Sequence, residues 1–341
     1  MSSSDMTTPS LPFAEAYSYV NPIRRVAPSP EYIDQIAEEN SLRKKQPLDD
    51  VAMFEDRKVT NSSGPKTLKN LLLNRRERLL GKSLRFNKDI ASIVEAMRNN
   101  PGSSYIQKKA CRVLCELSYH DNNCQSLIYK SGGIDAILSG MKMFSAELSL
   151  QLCGCKALVN ITRKNAVNQA EVCNKHGIAI ILEGMKHHFM DADFLSMCFL
   201  ALGNLCSKEK KNREAIRDAE VVLFFIIAGM KYHLKSAELQ QAGCGLLANL
   251  SCQEDVNKHI IVEAGGVEAI ILAMQSHPAN SKVFKFACAA LTNLCRTEEG
   301  LTLLKSNQGK GAIMHCLRMF PDQCSRFAVP LLKSLNSEET I

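Results

Sequence analysis

Along most of the chain the apolar positions recur in one cadence. A run ending in a small residue and methionine appears as Ala96-Met97, Gly140-Met141, Gly184-Met185, Gly229-Met230 and Ala273-Met274, with the methionines 44, 44, 45 and 44 residues apart. A second run keeps the same step: LCELS at 114–118, LVNIT at 158–162, LGNLC at 202–206, LANLS at 247–251 and LTNLC at 291–295. Two independent markers sharing one period identify an internal repeat. Each copy reads as a short helix, a glycine-marked turn, a longer helix, a polar turn and a third long helix. In the clearest copy, 256–263 is the short helix, Ala264-Gly265-Gly266 the turn and 267–276 the second helix, and 237–252 is the third helix of the unit before. Glycine at the turn permits a backbone conformation that strains other residues, so two helices can meet sharply. The same turn is Gly132-Gly133 and Gly177, but Ala219-Glu220 in the third copy, where the spacing slips by one residue. That copy's second helix, VVLFFIIAGM, is apolar nearly all round, which predicts deep burial.

The text on either side of the repeats is different. Residues 1–64 carry Pro9, Pro12, Pro22, Pro28, Pro30 and Pro47 with polar stretches between, which predicts a largely unstructured tail with at most a short helix near 30–44. Gly64-Pro65 then opens an amphipathic basic helix over 65–88, with Leu68, Leu71, Leu72 and Leu79 on one stripe. It reads either as an N-terminal cap on the repeats or as a mobile arm. The repeats occupy 89–338. The last copy, 300–336, is shorter, and Pro330 is expected to interrupt its final helix and mark a terminal cap.

Charge sharpens that division. The chain has 341 residues and a net charge of +7. The segment 65–88 holds eight basic residues against Glu77 alone, so the remainder balances and the repeats give no general case for binding nucleic acid. No apolar run approaches 18 residues, so no membrane span is predicted. Fourteen cysteines without a secretory leader pattern read as reduced thiols of a cytoplasmic or nuclear protein. Cys111, Cys155, Cys244 and Cys288 stand at one helical position, a repeat apart, where a small residue is needed; they cannot converge on a metal ion. His188, His233 and His277 each follow the marker methionine by three residues and are expected to cap the second helix at its carbonyl end. No Ser-His-Asp, paired-carboxylate or phosphate-loop spacing occurs, and Gly309-Lys310-Gly311 lacks the flanking residues of a phosphate loop. The reading is therefore non-enzymatic, with no cofactor and no small-molecule substrate.

Three helices per unit, a period in the low forties and a third helix ending in Ala/Leu-x-Asn-Leu resemble the armadillo repeat. The resemblance covers about 79–338, with five good copies and a degraded sixth. It implies an all-α fold, a right-handed solenoid whose third helices line a concave groove. In that family the asparagine of the third helix hydrogen-bonds the backbone of an extended peptide. The matching residues here are Asn160, Asn204, Asn249 and Asn293, with Glu116 at that position in the first unit and Ser334 in the last. Asparagine is a poor mid-helix residue, which favours a reason other than helix formation. One reading displays it in the groove; the other bonds it to the neighbouring repeat. The first predicts that alanine at Asn204 and Asn249 leaves the fold intact.

Four residues earlier, nuclear import adaptors of this fold carry tryptophan. The chain has none and places Arg112, Lys156, Leu200, Gly245 and Ala289 there. Arg112, Lys156, Arg163 and Lys164 predict a groove with a basic N-terminal half, and Leu200, Gly245 and Ala289 a flatter, more apolar C-terminal half. The function expected is a scaffold holding an extended or helical protein segment. Alternatives are a nuclear transport adaptor using 65–88 as a regulatory arm, and a chaperone or GTPase regulator built on the same repeats.

Overall fold

The computed structural model describes residues 83–336 apart from His120, Lys208, Glu220 and Asn307, with side chains from Asp89 onward. The predicted tail over 1–64, and the part of the basic segment before Ser83, lie outside the described residues. Seventeen helices and no strand occur among the described residues. A pair opens the array: α1 (Ser83–Asn99) and α2 (Ser104–Ser118). Three-helix units follow: α3 (Asn122–Lys130), α4 (Gly133–Met143) and α5 (Leu148–Thr162); then α6 (Ala166–Asn174), α7 (Gly177–His187) and α8 (Ala192–Leu205). Next come α9 (Lys210–Asp218), α10 (Val221–Tyr232) and α11 (Ala237–Leu250), then α12 (Asp255–Glu263), α13 (Gly266–Ser276) and α14 (Ser281–Leu294). The last unit is α15 (Glu298–Ser306), α16 (Gly309–Met319) and α17 (Pro321–Asn336). The third helices α2, α5, α8, α11, α14 and α17 pack one on the next in chain order. The result is one all-α solenoid with a continuous core. Residues 83–88 of the basic segment are the first turns of α1, not a separate helix.

Local chemistry explains the boundaries. Ser103, Asp191, Ser236 and Asn280 cap α2, α8, α11 and α14, each accepting a bond from an N–H of the first turn. The turn between first and second helices needs two things at once. Its first residue is left-handed in Gly132, His176, Gly265 and Gln308. Its second is Gly133, Gly177, Gly266 or Gly309, because a Cβ there would meet the carbonyl oxygen of Ile128, Val172, Ile261 or Leu304 at 2.9, 2.6, 2.8 or 2.5 Å. The third copy uses Ala219 with negative φ instead, and Val222 N donates to its carbonyl at 2.7 Å.

The Gly-Met marker is a packing device. Gly140 and Gly184 leave room for Gln107 and Gln151 of the third helix before; a Cβ would lie 2.9 and 2.8 Å from their Oε1 atoms. Met141 and Met230 seat their sulfurs against Gly154 and Gly243 of their own units, 2.6 Å from where a Cβ would stand. The equivalent positions in sequence are Ala110, Cys198 and Ala287, all small residues. In α10 Val222, Leu223 and 225–230 are buried as predicted, but Val221 is 41% exposed and Phe224 half-buried. Pro330 lies inside α17, which continues through it to Asn336, so the expected interruption does not occur. The predicted helix-capping histidines instead reach the preceding unit. His188, His233 and His277 place Nε2 at 3.0, 2.8 and 2.8 Å from the carbonyls of Ser145, Phe189 and Leu234.

The four column cysteines, Cys111, Cys155, Cys244 and Cys288, are fully buried. Burial pushes the Cys206 and Cys244 thiols up to about 12 and Cys115 up to about 11, where they are protonated at neutral pH. Cys252 is the exposed thiol among the free cysteines. Ellman's reagent at pH 7–8 should modify one thiol quickly in the native protein, and Cys252→Ser should remove that phase. Rapid reaction of several thiols before unfolding would contradict the packing described. Gly266→Ala drives a methyl into Ile261 and should lower stability by about 1–3 kcal/mol. Gly102→Ala, with nothing within 4 Å, should leave the thermal midpoint unchanged.

Candidate functional site

The asparagine series is resolved by its hydrogen bonds. Asn160 Nδ2 donates to Cys115 O at 2.9 Å, Asn204 to Val159 O at 2.9 Å, Asn249 to Gly203 O at 2.9 Å and Asn293 to Ala248 O at 3.0 Å. Each acceptor belongs to the third helix before and lies one residue ahead of that helix's own marker position. The amide hydrogens therefore tie neighbouring units together. No hydrogen bond to the Oδ1 atoms forms among the described residues, and all four side chains are half-buried. The groove-display reading, in which donor and acceptor both face a ligand, is corrected to an amide whose donor serves the stack.

The other predicted positions share the edge of the stack that carries these asparagines. Arg112 and Glu116 are exposed on α2 and pair with each other at 3.4 Å. Lys156 is exposed on α5, and Leu200 half-buried on α8. Arg163 is half-buried with its guanidinium carbon 5.7 Å from the Tyr119 ring centre. Lys164 is exposed and held at φ 55, a left-handed conformation that costs a non-glycine residue about 1–2 kcal/mol. Arg112, Lys156 and Lys164 are thus exposed basic side chains of the N-terminal units. These units also carry Tyr105, with Lys109 Nζ 5.5 Å from its ring centre.

The C-terminal half is not flat. Phe286 of α14 lies over Gly245 of α11, its Cδ1 3.5 Å from where a Cβ would stand. Lys285 Nζ is 5.9 Å from the Phe286 ring centre, and in α17 Arg326 Cζ is 5.6 Å from that of Phe327. Lys282, Lys285, Arg296 and Arg326 are exposed. Reading the asparagine position, the one four residues before it and, in the second unit alone, Arg163 and Lys164 just after it missed these side chains. The same period applied seven, eight and eleven residues before the asparagine, and three after it, would have found them. Among the described residues no group of His, Cys, Asp or Glu is placed to hold a metal ion.

Because each asparagine donates to a backbone carbonyl, alanine at Asn204 and Asn249 together should lower stability by about 1–3 kcal/mol. Thermal and urea unfolding check this. An unchanged midpoint would return the asparagines to a purely ligand-facing role.

Comparison with known proteins fits this geometry. A family model described as LRRK2 ARM repeat matches residues 133–310, just over half of the chain. Protein aardvark of Dictyostelium discoideum is 38% identical over 139 residues, which covers 37% of this chain and 18% of that protein. The chain thus spans under a fifth of that relative's length. Among solved structures, the designed armadillo repeat protein YIII(Dq)4CqI superposes with a TM-score of 0.63 at 16% identity, covering 72% of this chain and 100% of that one. The designed armadillo repeat protein YIII(Dq.V1)4CPAF in complex with peptide (KR)4 gives 0.62 at 14% identity, covering 72% and 99%. At such identities the likeness is one of fold. With the family match, the three-helix units and the stacked third helices in agreement, the chain belongs to the armadillo-repeat family.

Proposed function

We propose that this protein is a non-enzymatic scaffold that holds an extended segment of a partner protein along the exposed face of its third helices. The observation that carries this reading is a stack locked in register by asparagine–carbonyl bonds, which presents a row of equivalent side chains at fixed spacing. A rigid, periodic face suits a ligand that is itself periodic, and an extended peptide rises about 3.3 Å per residue. The free Oδ1 acceptors supply bonds for peptide N–H groups, which give register but not sequence preference. The designed relative in complex with peptide (KR)4 supports the idea that such a stack holds a peptide. Here the basic N-terminal half, with Arg112, Lys156 and Lys164 exposed, calls for the opposite ligand charge. The reduced, buried thiols suit a cytoplasmic or nuclear setting.

The test is fluorescence anisotropy with a labelled glutamate-rich peptide flanked by glycine and serine. Reversal of Arg112 and Lys156 to glutamate should weaken binding about tenfold, equivalent to about 1.4 kcal/mol, and binding should fall as salt rises. Reversing Lys142 and Lys186, exposed on the second helices α4 and α7, should change little. If the second-helix pair matters and the third-helix pair does not, the binding face has been misplaced.

A further inference from the structure

The basic side chains of the third helices do not form one continuous track. On α2 and α5 they are Lys108, Lys109, Arg112 and Lys156, with Arg163 just beyond the end of α5; Lys108 pairs with Glu147 at 3.8 Å and Arg112 with Glu116 at 3.4 Å. On α14 and α17 they are Lys282, Lys285 and Arg326, with Arg296 just beyond the end of α14. Within α8 and α11 the same register carries no base: it reads Asp193, Ser196, Met197 and Leu200 on the first, and Glu238, Gln241, Ala242 and Gly245 on the second, with Ser207 and Cys252 just beyond their ends. Asp193 and Glu238 are exposed, and at their position the row continues to Lys282, so the sign of the face changes between α11 and α14. Lys156, Lys164, Lys282, Lys285, Arg296 and Arg326 form no ion pair among the described residues. Their charge is therefore not neutralised within the fold.

We propose that the third-helix face holds two separate acidic-peptide subsites, and that the protein selects a partner segment with two acidic blocks separated by a short neutral spacer. This rests on the scaffold reading above and specifies the partner's chemistry. The first subsite is centred on Lys156, with Arg112 in the same register on the neighbouring helix but shared with its partner Glu116; the second is centred on Lys285 and Arg326. The second adds the half-buried rings of Phe286 and Phe327, one on each of two neighbouring third helices, so it takes an apolar side chain beside the carboxylates. The Phe286 ring lies against Gly245 of α11, at ordinary van der Waals distance from where a Cβ would stand. From α5 to α14 is three steps of the stack, each about one helix spacing of 10 Å, which an extended chain crosses in about nine residues. The occupant is a peptide and not a nucleic acid strand, although bases and aromatic rings together also suit single strands. A strand carries a phosphate at every residue and would place charge against Asp193 and Glu238, whereas a peptide can leave that stretch neutral.

The experiment uses the full chain and four labelled peptides: one glutamate block alone, a block with a phenylalanine beside it, two blocks about nine residues apart, and two blocks about three residues apart. The nine-residue spacer should bind at least tenfold more tightly than either single block, through the effective concentration of the tethered second block. The three-residue spacer should lose most of that gain. Lys285→Glu with Arg326→Glu should reduce the nine-residue peptide to single-block affinity and abolish the preference for phenylalanine. Should the charge reversals fold poorly, as judged by circular dichroism melts, Lys285→Gln with Arg326→Gln replaces them, and the spacer series on the unmodified chain still decides. If single blocks bind through Arg112 and Lys156 but the spacer makes no difference, the two-subsite inference fails and the scaffold reading stands. If neither set of reversals affects any peptide, both fail. A single-stranded oligonucleotide that binds more tightly than the nine-residue peptide, through the same four residues, would also overturn the proposal.

Discussion

Neighbouring units are held together by side-chain amides that donate to main-chain carbonyls of the third helix before. A mid-helix carbonyl already accepts one bond within its helix, but it has a second lone pair, and Asn160, Asn204, Asn249 and Asn293 use it. Such a bond forms only when the helices approach closely and at one longitudinal offset. Apolar packing alone is less selective about offset, because sliding one greasy surface along another changes little area. The amide ladder therefore sets register, and the apolar core beneath it provides most of the driving force.

The core is arranged so that this close approach is possible. Met141 and Met230 of second helices face Gly154 and Gly243 of third helices, and Gly140 and Gly184 before the marker methionines admit Gln107 and Gln151 of the previous unit, whereas Gly229 admits Phe199 and Leu195. Gln107, Gln151 and Gln240 then donate to carbonyls at the end of the second helix, to Met97 and Asn100, Met141 and Phe144, and Met230 and His233. The histidines add a further link from each unit to the loop of the one before. Polar ties thus run along the array on more than one edge, which keeps a quasi-one-dimensional protein from flexing freely at its joints. A stiff face is useful to a binding scaffold, since less order has to be imposed when the ligand arrives.

The chemistry of that face varies where the packing does not. Asparagines repeat through the middle units, while the residues around them change from basic to acidic or neutral and back to basic with aromatic rings. The repeated positions hold the geometry while the positions around them vary in charge and size.

The period, the helix order and the glycine turns were legible in the sequence, because each is a local requirement that recurs every 44 or 45 residues; the cysteine column was legible in part, since Phe199 fills its place in the third copy. The exposure of Arg112 and Lys156 was legible too, since it follows from position on an amphipathic helix. The role of the asparagines was not. A polar residue in the middle of a helix looks the same whether it faces a ligand or a neighbouring carbonyl, and only the distance between two helices decides which atom it bonds. The same holds for His188, His233 and His277, placed correctly at helix ends but bonded to another unit. Phe286 over Gly245 was hidden for a related reason: the two residues are 41 apart in the chain, and Gly245 alone read as a flat stretch of the face. Pro330 shows the converse, a strong local signal overridden because the packing of α17 on α14 and α16 outweighs one missing hydrogen bond. Sequence determined which residues must be small, buried or turned; the approach of one helix to the next decided what the polar ones do.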